Sequence, residues 1–548
     1  MGVSLRVHIF TPRFGAARRL ATAAILTSLV ASISVTAIPP AAASPADAAS
    51  DPVVTVTEGQ IRGLRTDGIV KYLGVPFAAP TTGENRFAPP RTAAPWADVR
   101  PALTHSPQCP QASPIPLGVA LQESSEDCLS IDVYVPQNAA DAALPVMVWF
   151  YGGAFVLGSN AQYDSPARLV REGKVIVAVP NYRVGPFGFL ALPELADSTG
   201  GITGTYGTLD QQAALRWIRD NAAAFGGDPG NVTIFGESAG GMSVCTQLAS
   251  PSARGLFHRA IIESGSCARS PLAPPSRDLA FQRSADYAAS LGCDDPQTRL
   301  RCLRSLPADR LLDSPTAELN SMAVTWSPVL DGAVVTAEPE HALAAGAARD
   351  MPLIVGSNAD EGATFIALLD YTRATVPTAT DYLNWTRELF GDNADQVLAR
   401  YPLSDFAAPV KAKERVITDG FFACPALFTA EAARRGGAQV WQYQFNDAPL
   451  GDNPLLPGAF HAAEIPYVFS ALMGVTIPLP PAADLLSRRI QQSWARFAHT
   501  GDPVTADFTG WPTTPGSTLE MGSDRISTAD SFSRQHHCDL WSGIGHIG

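Results

Sequence analysis

Residues Phe225–Gly241 read FGGDPGNVTIFGESAGG and carry the strongest local signal in the chain. Val232–Phe235 has the β-branched and aromatic side chains of a buried strand, and a helix-like segment follows the stretch. Between them lies G-x-S-x-G, in which Gly236 and Gly240 permit a sharp turn with close neighbours. A serine on such a strand–turn–helix projects its hydroxyl above the sheet, beside a helix N-terminus. The pattern predicts that Ser238 is a nucleophile, although short G-x-S-x-G strings also arise by chance in chains rich in glycine and alanine.

The composition is that of a globular protein, with 46% hydrophobic and 17% charged residues. A length of 548 residues would by itself suggest about three or four domains. The candidate catalytic residues, however, extend from Tyr151 to His461 and must meet in one site, which favours a single domain. The net charge of -13 and the absence of Lys/Arg runs in the body of the chain argue against nucleic acid as a partner.

The N-terminal segment has the pattern of an export signal. Arginines at positions 6, 13, 18 and 19 precede an apolar run over 20–38, which ends in Pro39-Pro40 and the small residues 41–43. We interpret residues 1–43 as a cleaved secretory signal and 44–548 as the mature, single-domain chain. An uncleaved membrane anchor is the alternative, but the apolar run is short for a span; the export route stays open. Further along, no uninterrupted apolar run reaches the roughly 20 residues of a transmembrane helix.

The order of strand-like and helix-like segments predicts the fold class. A hairpin at 53–64 and strands at 129–135, 144–150, 175–180, 232–235, 259–263, 352–356 and 440–445 are separated by helical segments such as 209–225 and 279–312. Several of these strands are apolar throughout, as expected for strands covered on both faces. The pattern predicts an α/β fold with a large, mostly parallel sheet and helices on both faces.

A serine nucleophile needs a base, an orienting carboxylate and an oxyanion hole. In α/β-hydrolases the catalytic residues occur along the chain in the order nucleophile, acid, histidine. The acid follows a later strand than the nucleophile does, and the histidine follows the last strand. Asp360 and Glu361 lie directly after the strand at 352–356, and His461 lies in a loop after the strand at 440–445. The glycine-rich loop Trp149–Phe155 follows an apolar strand and is suited to present backbone N–H groups as an oxyanion hole.

These motifs resemble the type-B carboxylesterase/lipase family, which includes the cholinesterases, over essentially the whole mature region. Residues 225–241 match that family's serine signature almost residue for residue. Glu126–Tyr134 (EDCLSIDVY) resembles its second signature, with Ser130 where an aromatic residue is common. The resemblance implies an α/β-hydrolase fold and the chemistry of a serine esterase.

The resemblance also implies a role for each candidate residue. It makes Glu361, rather than Asp360, the acid, and His461 in HAAEIPYVF the base. Glu237, beside the nucleophile, resembles a family acid that supports the imidazolium, with a solvated surface carboxylate as the alternative. Ala154 stands where a third glycine is usual, which is tolerable because the backbone donates. The implied oxyanion donors are the N–H groups of Gly153, Ala154 and Ala239.

All eight cysteines follow the predicted signal, and an even number in an exported chain suggests disulfides. Their spacing is not that of a zinc site, so no metal is expected. The resemblance implies the pairs Cys109–Cys128, Cys293–Cys302 and Cys424–Cys538, and the remaining Cys245 and Cys267 are left to form a fourth. It also implies buried ion pairs Arg86–Glu126 and Arg183–Asp210, with weak surface pairs as the alternative.

Specificity is indicated by two regions. Cholinesterases place a tryptophan in the loop between the first two cysteines as a cation–π platform for choline, whereas residues 110–127 contain no Trp, Tyr or Phe. The acyl-pocket aromatics of acetylcholine-selective relatives are replaced by Met322 and Val324, which predicts a roomier acyl pocket. Phe365 is a further candidate lining residue, with ordinary core packing as the alternative.

We therefore expect a secreted, extracellular serine esterase that acts through an acyl-enzyme on small to medium carboxylic esters, with no metal or organic cofactor. Its partner is a small-molecule ester, and we expect no stable membrane anchor after signal cleavage. One alternative is an extracellular lipase for long-chain acylglycerols. Another is a non-catalytic adhesion protein on the same fold, although adhesion relatives lack the serine that is present here. The natural substrate, the oligomeric state and glycosylation at Asn384 stay open.

Overall fold

One large sheet organises the described chain. The structure, a computed structural model, describes residues 51–111, 123–139, 142–268, 273–312, 325–371, 377–451, 453, 456–512 and 516–544. The predicted signal at 1–43 lies outside these residues. The strands are β1 (Val53–Val56), β2 (Gly59–Arg62), β3 (Leu64–Thr66), β4 (Ile69–Pro76), β5 (Arg100–Pro101), β6 (Ser130–Pro136), β7 (Leu144–Phe150), β8 (Ile176–Pro180), β9 (Gly227–Glu237), β10 (Arg259–Glu263), β11 (Pro352–Asn358), β12 (Gln439–Phe445), β13 (Ala471–Leu472), β14 (Val475–Thr476), β15 (Thr518–Met521) and β16 (Ile526–Ala529).

Eleven of these strands form the main sheet, in the order β16-β15-β12-β11-β10-β9-β7-β8-β6-β4-β3. Neighbours from β15 to β8 pair in parallel. At the two ends, β16 and the group β6, β4 and β3 pair antiparallel. The predicted opening hairpin is confirmed as β1 and β2, which join β5 in a small separate sheet. The predicted α/β class with a large, mostly parallel sheet is confirmed.

Helices follow most of the parallel strands and cover the sheet. A π-helical segment, Thr418–Ala423, joins two of them and is called the π-turn below. The helices are α1 (Ala167–Gly173), α2 (Gly185–Phe189), α3 (Pro193–Ser198), α4 (Tyr206–Asn221), α5 (Ala239–Ala249), α6 (Arg277–Ser290), α7 (Arg299–Ser305), α8 (Ala308–Leu312), α9 (Pro339–Ala344), α10 (Gly362–Tyr371), α11 (Ala379–Phe390), α12 (Ala394–Arg400), α13 (Pro409–Ile417), α14 (Cys424–Arg435), α15 (Ile465–Phe469), α16 (Pro481–Thr500), α17 (Phe532–Gln535) and α18 (Cys538–Gly543).

The central strands are buried on both faces, which explains why their sequences are apolar throughout. On one face Trp149 of β7 belongs to the same hydrophobic cluster as Trp494 of α16. On the other face Val148 belongs to a second cluster with Leu215 of α4. A central strand of a parallel sheet needs apolar side chains at every position when helices cover both faces. The carboxyl ends of β7, β9 and β11 consequently meet at one edge of a rigid core.

Two helical segments differ from the sequence expectation. The segment predicted at 209–225 is α4, which ends at Asn221 and continues as a 3-10 turn, Ala222–Phe225. The turn stops at Gly226, whose φ of +79° suits glycine. The segment predicted at 279–312 is three helices, α6 to α8, because Gly292 (φ +79°) and Pro307 interrupt it.

The structure contains the four disulfides that were anticipated. Cys109–Cys128, Cys245–Cys267 and Cys293–Cys302 close short segments, with sequence separations of 19, 22 and 9. Cys424–Cys538, with a separation of 114, ties α14 to α18 near the end of the chain. This bond fixes the C-terminal segment against the same continuous helix that carries the π-turn.

One internal helical stretch has a high average hydropathy, although charged residues such as Asp419 and Glu431 interrupt it, in keeping with the lack of an uninterrupted apolar run. Among the described residues, Pro409–Arg435, which comprises α13, the π-turn and α14, is long and apolar enough to span a bilayer. Its apolar window is, however, 89% buried inside the protein. This burial is typical of a core helix, and the residues from Asp51 onward form one compact unit.

Candidate active site

Ser238 occupies a strained turn between β9 and α5. Its φ of 56° and ψ of -123° are unusual for a residue with a side chain, and such strain is maintained where the surroundings fix the backbone. The Ser238 N–H donates to the Glu263 carbonyl at 2.9 Å. A Cβ on Gly240 would lie 1.9 Å from the Phe150 carbonyl oxygen, and one on Gly236 would lie 2.6 Å from it. Both glycines of the motif are therefore required by close backbone contact.

Glu361 and His461 are in direct contact, as the sequence predicted. His461 Nδ1 lies 2.6 Å from Glu361 Oε2, and both side chains are buried. The other carboxylate oxygen of Glu361 accepts the Asn358 N–H at 2.7 Å. A carboxylate on Nδ1 holds the proton there and leaves Nε2 free to act as a base. The His461 carbonyl is also fixed, because Thr364 donates its hydroxyl to it at 3.2 Å.

Asp360, the competing acid candidate, has a different position. Its Oδ2 accepts the Ala459 N–H at 3.0 Å, and its backbone forms a parallel bridge with Phe460. Asp360 therefore fastens the loop that carries His461 to the end of β11, whereas Glu361 binds the imidazole itself.

The other edge of the imidazole faces the nucleophile turn. His461 Nε2 lies 3.2 Å from Oε1 of Glu237, the residue before Ser238. Glu237 Oε1 has no hydrogen-bond partner among the described residues. We treat the contact as a charge interaction. Ser238 itself is half-buried and therefore accessible to a substrate.

The glycine-rich loop after β7 lies directly beside the nucleophile. A Cβ on Gly152 would be 2.7 Å from Glu237 Oε2 and 3.1 Å from Ser238 Cβ. The backbone then passes through positive φ values at Gly153 (105°), Ala154 (53°) and Phe155 (59°). Ala239, the third predicted donor, is the first residue of α5. Gly152 thus lies beside Ser238, Gly153 and Ala154 follow it in the loop, and Ala239 follows Ser238 in the chain.

The comparisons with known proteins agree with this arrangement. Residues 50–541 match the model of the carboxylesterase family. The chain is 37% identical to para-nitrobenzyl esterase of Bacillus subtilis (strain 168) over 476 residues, which are 84% of this chain and 92% of that protein. It is 35% identical to fumonisin B1 esterase of Sphingopyxis macrogoltabida over 468 residues, 83% of each chain. A solved structure of a PNB esterase matches with a TM-score of 0.76 and 36% identity, covering 89% of this chain and 100% of that chain.

The chain belongs to the carboxylesterase family. It is an α/β-hydrolase and a carboxylic ester hydrolase, as its motifs implied. Members of this family work through an acyl-enzyme on a serine.

Several buried carboxyl groups surround the one imidazole of this carboxylesterase. Burial lowers the pKa of His461, but the charges of Glu237 and Glu361 outweigh it and raise the pKa to about 9. Burial raises the pKa of Glu237 to about 8, although His461 acts in the opposite direction. Burial likewise raises the pKa of Glu464 to about 7 and that of Glu263 well above its usual range. Negative charge around His461 therefore favours the imidazolium, and burial favours the neutral form of Glu237.

Two aromatic rings flank the imidazole. The ring centroids of Phe365 and Phe422 lie 4.9 Å and 4.8 Å from that of His461. Phe365 was singled out from the sequence as a pocket residue. Phe422 was missed, because its position depends on the π-turn. Met322 and Val324, the other predicted pocket residues, lie outside the described residues.

The predicted buried ion pairs are present in this carboxylesterase. Arg86 Nε donates to Glu126 Oε2 at 2.8 Å. Arg183 forms a two-pronged contact with Asp210, with both hydrogen bonds at 2.7 Å, and the pair is fully buried. Such pairs fix the geometry of neighbouring loops, since removal of one partner leaves a buried charge.

Sequence reasoning also missed Glu464 and Asn358. Asn358 donates its side-chain amide to the Phe460 carbonyl at 2.9 Å and to Glu464. Glu464 follows His461 by three residues, a spacing that places two side chains on the same side of a helical turn. This spacing was the available signal for a second acid near the histidine.

Proposed function

We propose that Ser238, His461 and Glu361 form the catalytic triad of this carboxylesterase. His461 Nε2 removes the proton of Ser238 Oγ, which attacks the ester carbonyl carbon. Glu361 keeps the Nδ1 proton in place and stabilises the imidazolium. The imidazolium then protonates the leaving alcohol, and water cleaves the acyl-enzyme by the same steps in reverse.

The oxyanion formed in each half-reaction is stabilised by the N–H groups of Gly153, Ala154 and Ala239. The positive φ values after β7 turn successive amides of this loop towards one side, and Ala239 adds the N-terminus of α5. The single observation that best supports the triad is the 2.6 Å contact of His461 Nδ1 with Glu361. The opposite edge of the His461 ring faces the strained Ser238 turn.

The proposed substrates are small to medium carboxylic esters, with a fairly broad acyl pocket. The proposal rests on Met322 and Val324, which replace aromatic residues of choline-specific relatives, and on the lack of aromatic residues at 110–127. Phe365 is proposed to line the pocket beside the imidazole it contacts, and Glu237 to support the imidazolium. The name para-nitrobenzyl esterase of one relative is in keeping with small esters of benzyl-type alcohols.

The first test is hydrolysis of p-nitrophenyl esters from acetate to palmitate by the mature protein. We expect the highest kcat/KM at short to medium chains, and a loss of at least about 10⁴-fold in kcat for Ser238→Ala. Ser252→Ala, a change at an exposed serine just beyond the end of the same helix, serves as the matched control and should retain activity.

Other outcomes would favour the alternatives. A rate that peaks at long chains and rises sharply above the solubility limit of the substrate would identify a lipase. Folded, oxidised protein without activity on any ester would favour the binding protein. Full activity in Ser238→Ala would exclude the proposed nucleophile.

We further propose that residues 1–43 are a secretory signal, that 44–548 form one domain, and that the enzyme is extracellular. Four disulfides support this proposal, because such bonds persist in oxidising compartments. Mass spectrometry of the exported protein should find an N-terminus near residue 44 and no free thiol. An intact N-terminus in the membrane fraction would instead identify an uncleaved anchor.

A further inference from the structure

The side-chain amide of Gln111 is joined to the loop that carries the proposed oxyanion donors. Gln111 Nε2 donates to the Gly158 carbonyl at 2.9 Å, and Gln111 Oε1 accepts the Gly158 N–H at 2.9 Å. The second N–H of the same amide donates to the Cys109 carbonyl at 3.0 Å. The amide therefore pairs with Gly158 as a neighbouring strand would, and its donors are both used.

At neutral pH an amide of this length can make this set of bonds, whereas an ionised carboxylate cannot. Gly158 presents one donor and one acceptor, so the partner must supply an acceptor and a donor side by side. Gln111 is itself held in place, because it lies two residues after Cys109, whose disulfide with Cys128 is buried. The Gln111 side chain thus joins the end of the loop to a fixed part of the protein.

The loop between Gly152 and Gly158 needs such external support. Gly153, Ala154, Phe155 and Gly158 all have positive φ, and two of them carry side chains. Residues with side chains in this region cost about 1–3 kcal/mol each and persist only where neighbours over-determine them. Gly158 is also closely packed, since a Cβ there would lie 2.4 Å from a ring carbon of Tyr151.

The start of the loop has its own anchor. Tyr151 and Tyr182 stack at 4.3 Å, and each hydroxyl bonds to the backbone of the other residue. Just past the loop, Asn181 Oδ1 accepts the Asn160 N–H at 2.9 Å. Gln111 supplies the side-chain bonds to Gly158 itself, so its loss should loosen the loop without unfolding it.

We propose that Gln111 is a positioning residue for ester hydrolysis: through Gly158 it keeps the Gly153 and Ala154 N–H groups aimed at the oxyanion. This inference rests on the proposed function, which makes those two groups oxyanion donors. Because Gln111 acts through Gly158, it affects the transition state more than ground-state binding.

The test compares Gln111→Ala and Gln111→Glu with the control Ser124→Ala in the oxidised, mature protein. Ser124 also donates to the Cys109 carbonyl, at 3.4 Å, and this hydroxyl bond does not involve the loop. We expect kcat to fall about 10-fold or more in both Gln111 variants, less than the 10²–10³-fold typical for loss of an oxyanion donor. KM should change by less than about twofold, since the lost interaction belongs to the transition state.

A transition-state analogue separates positioning from general damage. The hemiketal alkoxide of an aryl trifluoromethyl ketone stands in for the oxyanion, so its Ki should rise by the same factor as kcat falls. Gln111→Glu adds a pH signature, because a protonated carboxyl can again donate to the Gly158 carbonyl while accepting its N–H. The ratio of variant to wild-type kcat should therefore rise as pH falls from 8 to 5, and for Gln111→Ala it should stay constant.

The inference is overturned if kcat and Ki match the wild type in both variants, or if KM alone changes. It is also overturned if Ser124→Ala has the same effect. Should Gln111→Ala not fold, Gln111→Glu and its pH ratio decide. Failure of the proposed function is a separate result, because it would appear as activity in Ser238→Ala, whatever the Gln111 variants do.

Discussion

The protonation of His461, beside Glu237, is the feature of the site that responds most directly to pH. Glu361 lies on one edge of the imidazole and Glu237 on the other. A negative charge on either raises the pKa of His461, which reaches about 9 despite burial. Hydrolysis needs the unprotonated base, so activity should rise with pH as His461 loses its proton.

Glu237→Gln removes one of these charges and should lower the pKa of His461. The acid limb of kcat/KM should move to lower pH by about one unit or more, which is the usual effect of a charge at this distance. The measurement is kcat/KM for a p-nitrophenyl ester between pH 5 and 9, with Glu194→Gln, a carboxylate paired with Arg299, as the control. An unchanged limb, or one displaced to higher pH, would contradict the role given to Glu237.

The π-turn connects the site to the C-terminal segment. On one side Thr418 Oγ1 accepts the Gly362 N–H at 3.0 Å, next to Glu361, and Phe422 contacts His461. On the other side the Asp419 carboxylate lies 2.6 Å from His536 Nδ1 and accepts a bond from Tyr401. A π-helical turn inside an α-helix is often found at functional sites, and here it has partners on both sides.

Asp419→Asn should therefore affect both stability and catalysis. The change weakens charge-assisted hydrogen bonds from Arg415 and His536, and we expect a loss of about 2–3 kcal/mol of unfolding free energy. A fall in kcat of a few fold should accompany it as Phe422 moves. Thermal unfolding and kcat are compared with Asp405→Asn, an exposed aspartate bonded only to the adjacent serine. Equal effects of the two changes would contradict the proposed link.

The elements could be predicted where the signal is local. The elbow at Ser238 and the carboxylates after β11 were found from glycine spacing and strand ends, because those features are set by neighbouring residues. Phe422 could not be found, since TDGFFA forms a π-turn only when tertiary contacts hold it. The segment at 279–312 is three helices and not one helical region, because Gly292 and Pro307 interrupt it. Apolar periodicity alone does not show where a helix ends.

At the scale of the whole molecule, one disulfide joins two residues that are far apart in the sequence. Cys424 and Cys538, 114 residues apart, join α14 to α18, and the disulfide Cys293–Cys302 spans only 9. A cross-link that closes a long loop restricts the unfolded chain more than one that closes a short loop. Of the proposed triad, His461 lies within the segment that this disulfide closes, whereas Ser238 and Glu361 precede it.

The pair Cys424→Ala/Cys538→Ala should lower the free energy of unfolding by about 2–5 kcal/mol. The matched pair Cys293→Ala/Cys302→Ala should cost at least about 1 kcal/mol less, because its loop is shorter. Chemical unfolding of both double variants and the wild type gives the comparison. A larger cost for the short-loop pair would show that loop length is not the deciding factor.

The long disulfide also sets the order of events when the protein is made. Cys538 is synthesised after all strands of the main sheet, so its bond to Cys424 closes only once those strands have been made. The parallel strands and the nucleophile turn can form earlier, during synthesis. Maturation thus ends with an oxidation. A host that produces the enzyme in a reducing cytosol should yield molecules in which the sheet is folded but the Cys424–Cys538 bond has not formed.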